Sequence, residues 1–202
     1  WGDKKRGLLS LGHVLHLIED ASVPDHTRND PHPAFEERLK QRMPDIKDEN
    51  SIYQWFGAHD VTNSSPYEYF AVFHQGSLSV AELLRGRKPT EAASLEEYFD
   101  NIAKYSNNNF FSKDTVFNNN YKIPTFERGT ERLSDGQLYE FAYAKIDGAR
   151  YQLALLGTRQ LGAKDGIDNS IEDIDNLILT DYWTILSKQA VLHGAGVIKL
   201  FF

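Results

Sequence analysis

The chain has 202 residues, 41% of them hydrophobic, which is enough for one domain with a substantial buried core. Its net charge of −7 argues against a protein that binds duplex DNA, because such proteins need a basic surface for the phosphate backbone. There is no cysteine, so disulfides and thiolate ligands are excluded. A zinc ion would therefore have to be bound by imidazole and carboxylate groups.

The first predicted element is a long amphipathic helix from Lys4 to Asp20, in which leucine, valine and isoleucine recur with helical spacing. Pro24 prevents this helix from continuing, because proline lacks the amide hydrogen that a helix interior uses. The segment Asn29 to Pro33 has the capping residues and prolines of a new helix start. Further helices are predicted at Pro33 to Gln41, Ser51 to Val61, Pro66 to Arg87 and Leu95 to Phe111.

The spacing of hydrophobic residues changes in the last third of the chain. Gln137 to Ile146 and Ala149 to Leu156 are rich in tyrosine and alanine with near alternation, which is typical of strands. Between them stands Asp147-Gly148, a pair that accepts the positive φ values of a type I′ turn. We therefore predict a β-hairpin there, followed by one or two closing helices between Ile171 and Phe202.

Together these elements predict a mainly α protein, a multi-helix bundle with a small β-hairpin insertion at about residues 137–156. We expect a single helical metal-binding domain over residues 1–202. No apolar run in the sequence is long enough to span a membrane, so no transmembrane segment is expected.

The segment Leu8 to Glu36 carries four of the seven histidines, and its donor residues follow the spacing H-x3-D-x5-H-x5-H-x3-E. The two outer pairs are four residues apart, so on a helix each pair lies on one face and can direct two donors at one point. Imidazole with carboxylate suits zinc, and three protein ligands with one open position are typical of a catalytic site. The candidate metal ligands are His16, Asp20, His26, His32 and Glu36.

These five residues, with the flanking sequence LGHVLHLIEDASVPDHTRND, resemble the superfamily of zinc-dependent phospholipases C and single-strand-specific nucleases. The resemblance covers about the first 40 residues. It implies an all-α bundle of the phospholipase C type with up to three zinc ions in a cleft. It also implies hydrolysis of a phosphodiester, either a phospholipid or a single-stranded nucleic acid, and an extracellular or periplasmic location.

The resemblance further implies a role for each donor. His16 would bind one zinc ion of a close pair, and Asp20 would bridge that pair as the residue on which catalysis depends. His26, His32 and Glu36 would bind the third ion. Zinc at such a site activates water near neutral pH, and a pair of ions stabilises the attacking and the leaving oxygen in a displacement at phosphorus.

In the resembled family, further ligands of the close pair precede the H-x3-D helix, whereas this chain begins shortly before His16. Trp1 is interpreted as an incidental chain start. His13 is interpreted as a second histidine of the helix that carries His16, and not as a ligand. We therefore predict a C-terminal portion of a longer protein, completed by an N-terminal segment or a partner chain. One to two zinc ions are expected for these 202 residues.

Two functions remain open at this point. The ligand set favours a zinc-dependent phosphodiesterase, and the missing upstream ligands favour a non-catalytic, metal-stabilised helical protein that serves assembly or binding. The other candidate groups are interpreted as structural. His59, Asp60 and His74 are read as core or surface residues, His193 in HGAG as part of close helix packing, and Asp165 to Asp175 as a solvated loop.

Overall fold

The computed structural model describes residues 3–29, 67–68, 70–71, 80–112, 115–116, 118–133, 135–156 and 169–202. The helices predicted at Pro33 to Gln41 and Ser51 to Val61 lie outside these residues, as does much of the one predicted at Pro66 to Arg87. In the described part the helices are α1 (Lys4–Asp20), α2 (Pro24–Thr27), α3 (Val80–Leu83), α4 (Leu95–Asn109) and α5 (Asn169–Phe201). The strands are β1 (Glu127–Arg132), β2 (Leu138–Ile146) and β3 (Ala149–Leu155).

Helix α1 has the bounds that the sequence predicted. It begins after Asp3, whose carboxylate accepts hydrogen bonds from the amides of Lys5 and Arg6 at 3.1 and 3.3 Å and so caps the first turn. It ends at Asp20, and Pro24 then occupies the first turn of the short helix α2. The buried residues of α1, Leu11 and Ile18, pack in a small core with residues of α4 and α5.

The β-hairpin at Asp147-Gly148 is confirmed. Strands β2 and β3 are antiparallel and Ile146 pairs with Ala149 across the turn. Asp147 and Gly148 have φ values of 52° and 81°, as a type I′ turn requires. The Lys188 ammonium of α5 lies 3.0 Å from the Asp147 carboxylate, and this hydrogen bond lowers the pKa of Asp147.

The predicted mainly α, phospholipase C-type bundle is wrong, because the chain has a mixed α+β fold. The hairpin belongs to a three-stranded antiparallel sheet in the order β1-β2-β3, and β1 was not predicted. The sheet forms a layer of the main core instead of a peripheral insertion. Its buried residues Phe141, Leu153 and Ala154 belong to the same cluster as Ile178, Tyr182 and Ile185 of α5.

Helix α5 is a single closing helix of 33 residues. The Tyr182 hydroxyl links it to both neighbouring layers, since it donates to the Leu153 carbonyl at 3.0 Å and accepts from the Phe111 amide at 3.1 Å. None of the helices in the described ranges is long and apolar enough to cross a membrane.

The interpretation of HGAG as a close-packing segment is confirmed. His193 is buried, and its Nδ1 lies 2.8 Å from the Gln189 carbonyl oxygen. A Cβ at Gly196 would overlap the Thr90 carbonyl oxygen and stand 2.6 Å from Tyr98 Cε1. Only glycine therefore lets α5 approach the segment that precedes α4 so closely.

Replacing Gly196 with alanine is expected to lower the free energy of unfolding by about 1–3 kcal/mol, because α5 must move away from a backbone carbonyl. Gly12→Ala is the matched control. Gly12 is an exposed residue in α1 with nothing within 4 Å of an added Cβ, so alanine there should raise stability by roughly 0.5–1 kcal/mol. Urea unfolding of both variants checks this, and equal shifts in the two would contradict it.

Candidate metal centre

The candidate centre begins on the exposed face of α1. His16 and Asp20 are four residues apart on this helix, so their side chains lie one above the other. The His16 Nε2 atom is 3.5 Å from Asp20 Oδ2, and the side chains are 71% and 36% exposed. The pair predicted from the i,i+4 spacing is therefore formed, and it faces solvent.

The third donor, His26, comes from α2. Its Nδ1 atom lies 3.2 Å from the backbone carbonyl oxygen of Asp20 and 3.9 Å from Asp20 Oδ1. Because a carbonyl can only accept, this hydrogen bond favours the tautomer of the neutral ring that carries its proton on Nδ1. The lone pair is then on Nε2, on the opposite side of the ring from Asp20.

Glu68 is the residue that the sequence did not indicate. The His26 Nε2 atom is 3.6 Å from Glu68 Oε1, and the Glu68 side chain is 28% exposed. Its neighbours Tyr67 and Phe70 are buried in the main core, with the Tyr67 ring centroid 6.2 Å from that of Trp183. An acid within an aromatic-rich helical stretch carries no spacing signal that would connect it to the histidines.

A buried arginine directly after α2 holds the segment that carries His26. Arg28 is 1% exposed, and its guanidinium lies near the rings of Phe111 and Tyr121, with centroid distances of 5.8 and 5.2 Å. Its hydrogen-bond acceptors lie at 2.6–3.1 Å and are Thr115 Oγ1 and the carbonyl oxygens of Asn107, Phe110 and Lys122.

Two further hydrogen bonds join the turn after α1 and helix α2 to the end of α4. The Ser106 hydroxyl donates to the Ser22 carbonyl at 2.9 Å, and the Asn107 side-chain nitrogen Nδ2 donates to the Thr27 carbonyl at 2.7 Å. The position of His26 relative to α1 is thus determined by α4 and by the segment that follows it.

The donor separations can be compared with what zinc requires. Two ligand atoms bound to one tetrahedral zinc at about 2.0–2.2 Å lie roughly 3.3–3.6 Å from each other. The His16–Asp20 pair at 3.5 Å and the His26–Glu68 pair at 3.6 Å fit this separation. Within the described ranges, however, no three histidine, aspartate or glutamate residues converge closely enough to hold an ion by themselves.

The structure thus brings together His16, Asp20 and His26 of the predicted ligands. His32 and Glu36 lie outside the described residues, as do Trp1, His59, Asp60, His74 and residues 165–168 of the acidic run. The solvated loop predicted at Asp165 to Asp175 is wrong from Asn169 onward, because helix α5 begins there. His13 is exposed on α1.

A second group of acids lies at the junction of the sheet and α5. Burial raises the pKa of Asp181 to about 6, and its carboxylate accepts a hydrogen bond from the Gln152 amide. Glu131 accepts from Gln152 Nε2 at 2.8 Å and from the Tyr143 hydroxyl at 3.0 Å. These hydrogen bonds connect β1, β2, β3 and α5, so we interpret the group as structural.

Comparison with known proteins gave no match to a family model, to a curated protein or to a solved structure.

Proposed function

We propose that this chain is a zinc-dependent phosphodiester hydrolase, similar in its ligands to phospholipases C and single-strand-specific nucleases. The observation that carries the proposal is that the H-x3-D-x5-H donors lie together at the end of α1. The His16 Nε2 atom lies 3.5 Å from Asp20 Oδ2, and the His26 Nδ1 atom lies 3.9 Å from Asp20 Oδ1. These residues come from helices α1 and α2, so the three donors of the sequence motif are also neighbours in the structure.

Asp20 is the central residue of the proposed site. Its Oδ2 faces His16 and its Oδ1 faces His26, so the two oxygens of one carboxylate are directed to different histidines. Because Oδ1 faces the Nδ1–H side of His26, the carboxylate helps to orient that ring, and the bridge to a second ion is what the resemblance implies. His16 and Asp20 would hold one ion, and His26 would contribute to a neighbouring one.

The surroundings support an anionic substrate only if cations are bound. The chain carries a net charge of −7, and Asp20 and Glu68 add negative charge at the centre. A phosphodiester would be repelled by these carboxylates alone. Zinc would supply the positive charge for the phosphoryl oxygens and a water activated near neutral pH.

The chain's own side chains would leave the site open to the substrate and would orient its ligands. His16 is largely exposed and lies on the outer face of α1, so a phosphodiester can approach from solvent without movement of the described helices. The hydrogen bond from His26 to the Asp20 carbonyl fixes the orientation of the ring before a ligand binds. By the same resemblance we assign an extracellular or periplasmic location.

The test is metal content together with hydrolysis. After dialysis against zinc, elemental analysis should give one to two zinc ions per chain, and the protein should hydrolyse bis(nitrophenyl) phosphate. A chelator should abolish the activity and added zinc should restore it. Parallel assays with phosphatidylcholine vesicles and single-stranded DNA separate the two substrate classes.

The alternative function, a non-catalytic metal-stabilised protein, predicts a different result. One tightly held ion with a raised melting temperature and no hydrolysis of any of the three substrates would support it. A chain that retains no zinc after dialysis would contradict both functions.

A further inference from the structure

Glu68 reaches the candidate centre from a part of the chain far from the histidine motif. We propose that Glu68 is a metal ligand and binds the same ion as His26 Nε2. The inference rests on the zinc site proposed above but not on hydrolysis. It adds a carboxylate that neither the H-x3-D-x5-H motif nor the later H-x3-E pair contains.

The first argument is the state of the imidazole. A histidine that binds a metal through one nitrogen usually donates the other N–H to a carbonyl or carboxylate, which fixes its tautomer. His26 Nδ1 has that partner in the Asp20 carbonyl at 3.2 Å. The nitrogen on the other side of the ring is Nε2, and it faces Glu68.

The second argument is distance. His26 Nε2 and Glu68 Oε1 are 3.6 Å apart, which is long for a hydrogen bond but fits two atoms bound to one tetrahedral zinc, roughly 3.3–3.6 Å apart. An imidazole and a carboxylate are both common zinc ligands. The pair therefore has the chemistry and the spacing of half a tetrahedral site.

The third argument is that buried residues next to Glu68 and His26 in sequence hold both donors in place. Tyr67 and Phe70, on either side of Glu68, are 6% and 3% exposed in the main core. Arg28, two residues after His26, is fixed by its hydrogen bonds to the α4 end and the following segment. Donors positioned by buried neighbours lose little freedom when an ion binds, which favours affinity.

A simple ion pair predicts something different from a shared metal. A partly exposed His–Glu pair contributes little to stability, and removing its charge would leave zinc affinity unchanged. A ligand pair predicts a loss of zinc affinity when the Glu68 carboxylate is replaced by an amide. The two interpretations are separated by direct binding measurements.

The experiment titrates zinc into the whole chain by calorimetry and cobalt by visible absorption, for wild type, Glu68→Gln and Glu19→Gln. Glu19 is the matched control, because it precedes Asp20 on α1 and is exposed, so its variant removes the same charge close to the centre. Glu68→Gln is expected to weaken zinc binding by at least about 10- to 100-fold, the loss that follows when only a hydrogen-bond partner of a ligand is removed, and to change the cobalt d–d spectrum. Glu19→Gln should leave both unchanged.

The outcomes distinguish this inference from the proposed function. If Glu68→Gln binds zinc like wild type and gives the same cobalt spectrum, Glu68 is not a ligand, even when zinc-dependent hydrolysis is present. If zinc affinity falls as expected and wild type hydrolyses no phosphodiester, the ligand stands and the function fails. If Glu68→Gln is not folded by circular dichroism, Glu68→Asp, which shortens the side chain but keeps its charge, should show an intermediate loss of affinity; unchanged affinity there overturns the inference.

Discussion

Replacing Arg28 with methionine is expected to lower the free energy of unfolding by about 3–5 kcal/mol. The guanidinium is 1% exposed and donates to Thr115 Oγ1 and to three backbone carbonyls. Methionine fills a similar volume but donates nothing, so buried acceptors on the α4 end and the following segment lose their partner. Urea unfolding followed by circular dichroism measures the loss.

Arg128→Met is the matched control, since the Arg128 side chain on β1 is 68% exposed and makes a surface ion pair with Glu140. That change should stay within about 0.5 kcal/mol of wild type. Arg28→Lys should fall between the two, because lysine keeps the charge but cannot reproduce the planar fork of donors. If Arg28→Met is no less stable than Arg128→Met, the hydrogen bonds of Arg28 do not hold the segment that carries His26.

The helices and the hairpin could be predicted because their signals are local. The apolar spacing between Lys4 and Asp20 and the capping side chain of Asp3 determine α1 within a few residues. Asp147-Gly148 determines the hairpin, because few other residue pairs accept two positive φ values in succession. Neither prediction needed knowledge of what the element packs against.

Strand β1 could not be predicted because its sequence, Glu127 to Arg132, is almost wholly polar and has no apolar alternation. It is an edge strand whose residues are mostly exposed, and it forms by hydrogen bonding to β2. A charged edge of this kind protects a sheet from pairing with other chains. Pairing with β2, and not its own composition, makes this segment a strand. The sequence therefore predicted a hairpin insertion in a helical bundle where the structure has a three-stranded sheet.

The residues of the candidate metal centre also fall into two groups, those that sequence could pair and those that it could not. His16 and Asp20 could be paired from sequence because an i,i+4 spacing on a helix fixes their proximity. Glu68 and Arg28 could not, since both depend on contacts between segments far apart in the chain. An arginine next to a turn is usually solvent-exposed, and nothing in the sequence around Arg28 indicates that Asn107, Phe110 and Lys122 will present carbonyls to it.

Replacing Asp20 with asparagine is expected to have the largest effect on the proposed activity, a fall in kcat/KM on bis(nitrophenyl) phosphate of about 10³-fold or more. The Asp20 carboxylate lies within 4 Å of both His16 and His26, so its charge serves both halves of the centre. An amide keeps the shape of the carboxylate but binds zinc weakly, and zinc content should fall with activity.

Two exposed neighbours on the same helix provide controls for Asp20→Asn. Glu19→Gln removes an identical charge one residue away, and His13→Ala removes a histidine whose ring lies one turn before His16. Both variants should retain wild-type zinc content and at least about half of the wild-type rate, because neither side chain belongs to the ligand set. If Asp20→Asn keeps zinc and rate while His13→Ala loses them, the ligands lie further toward the start of α1, and the assignment of Asp20 as the bridging carboxylate is wrong.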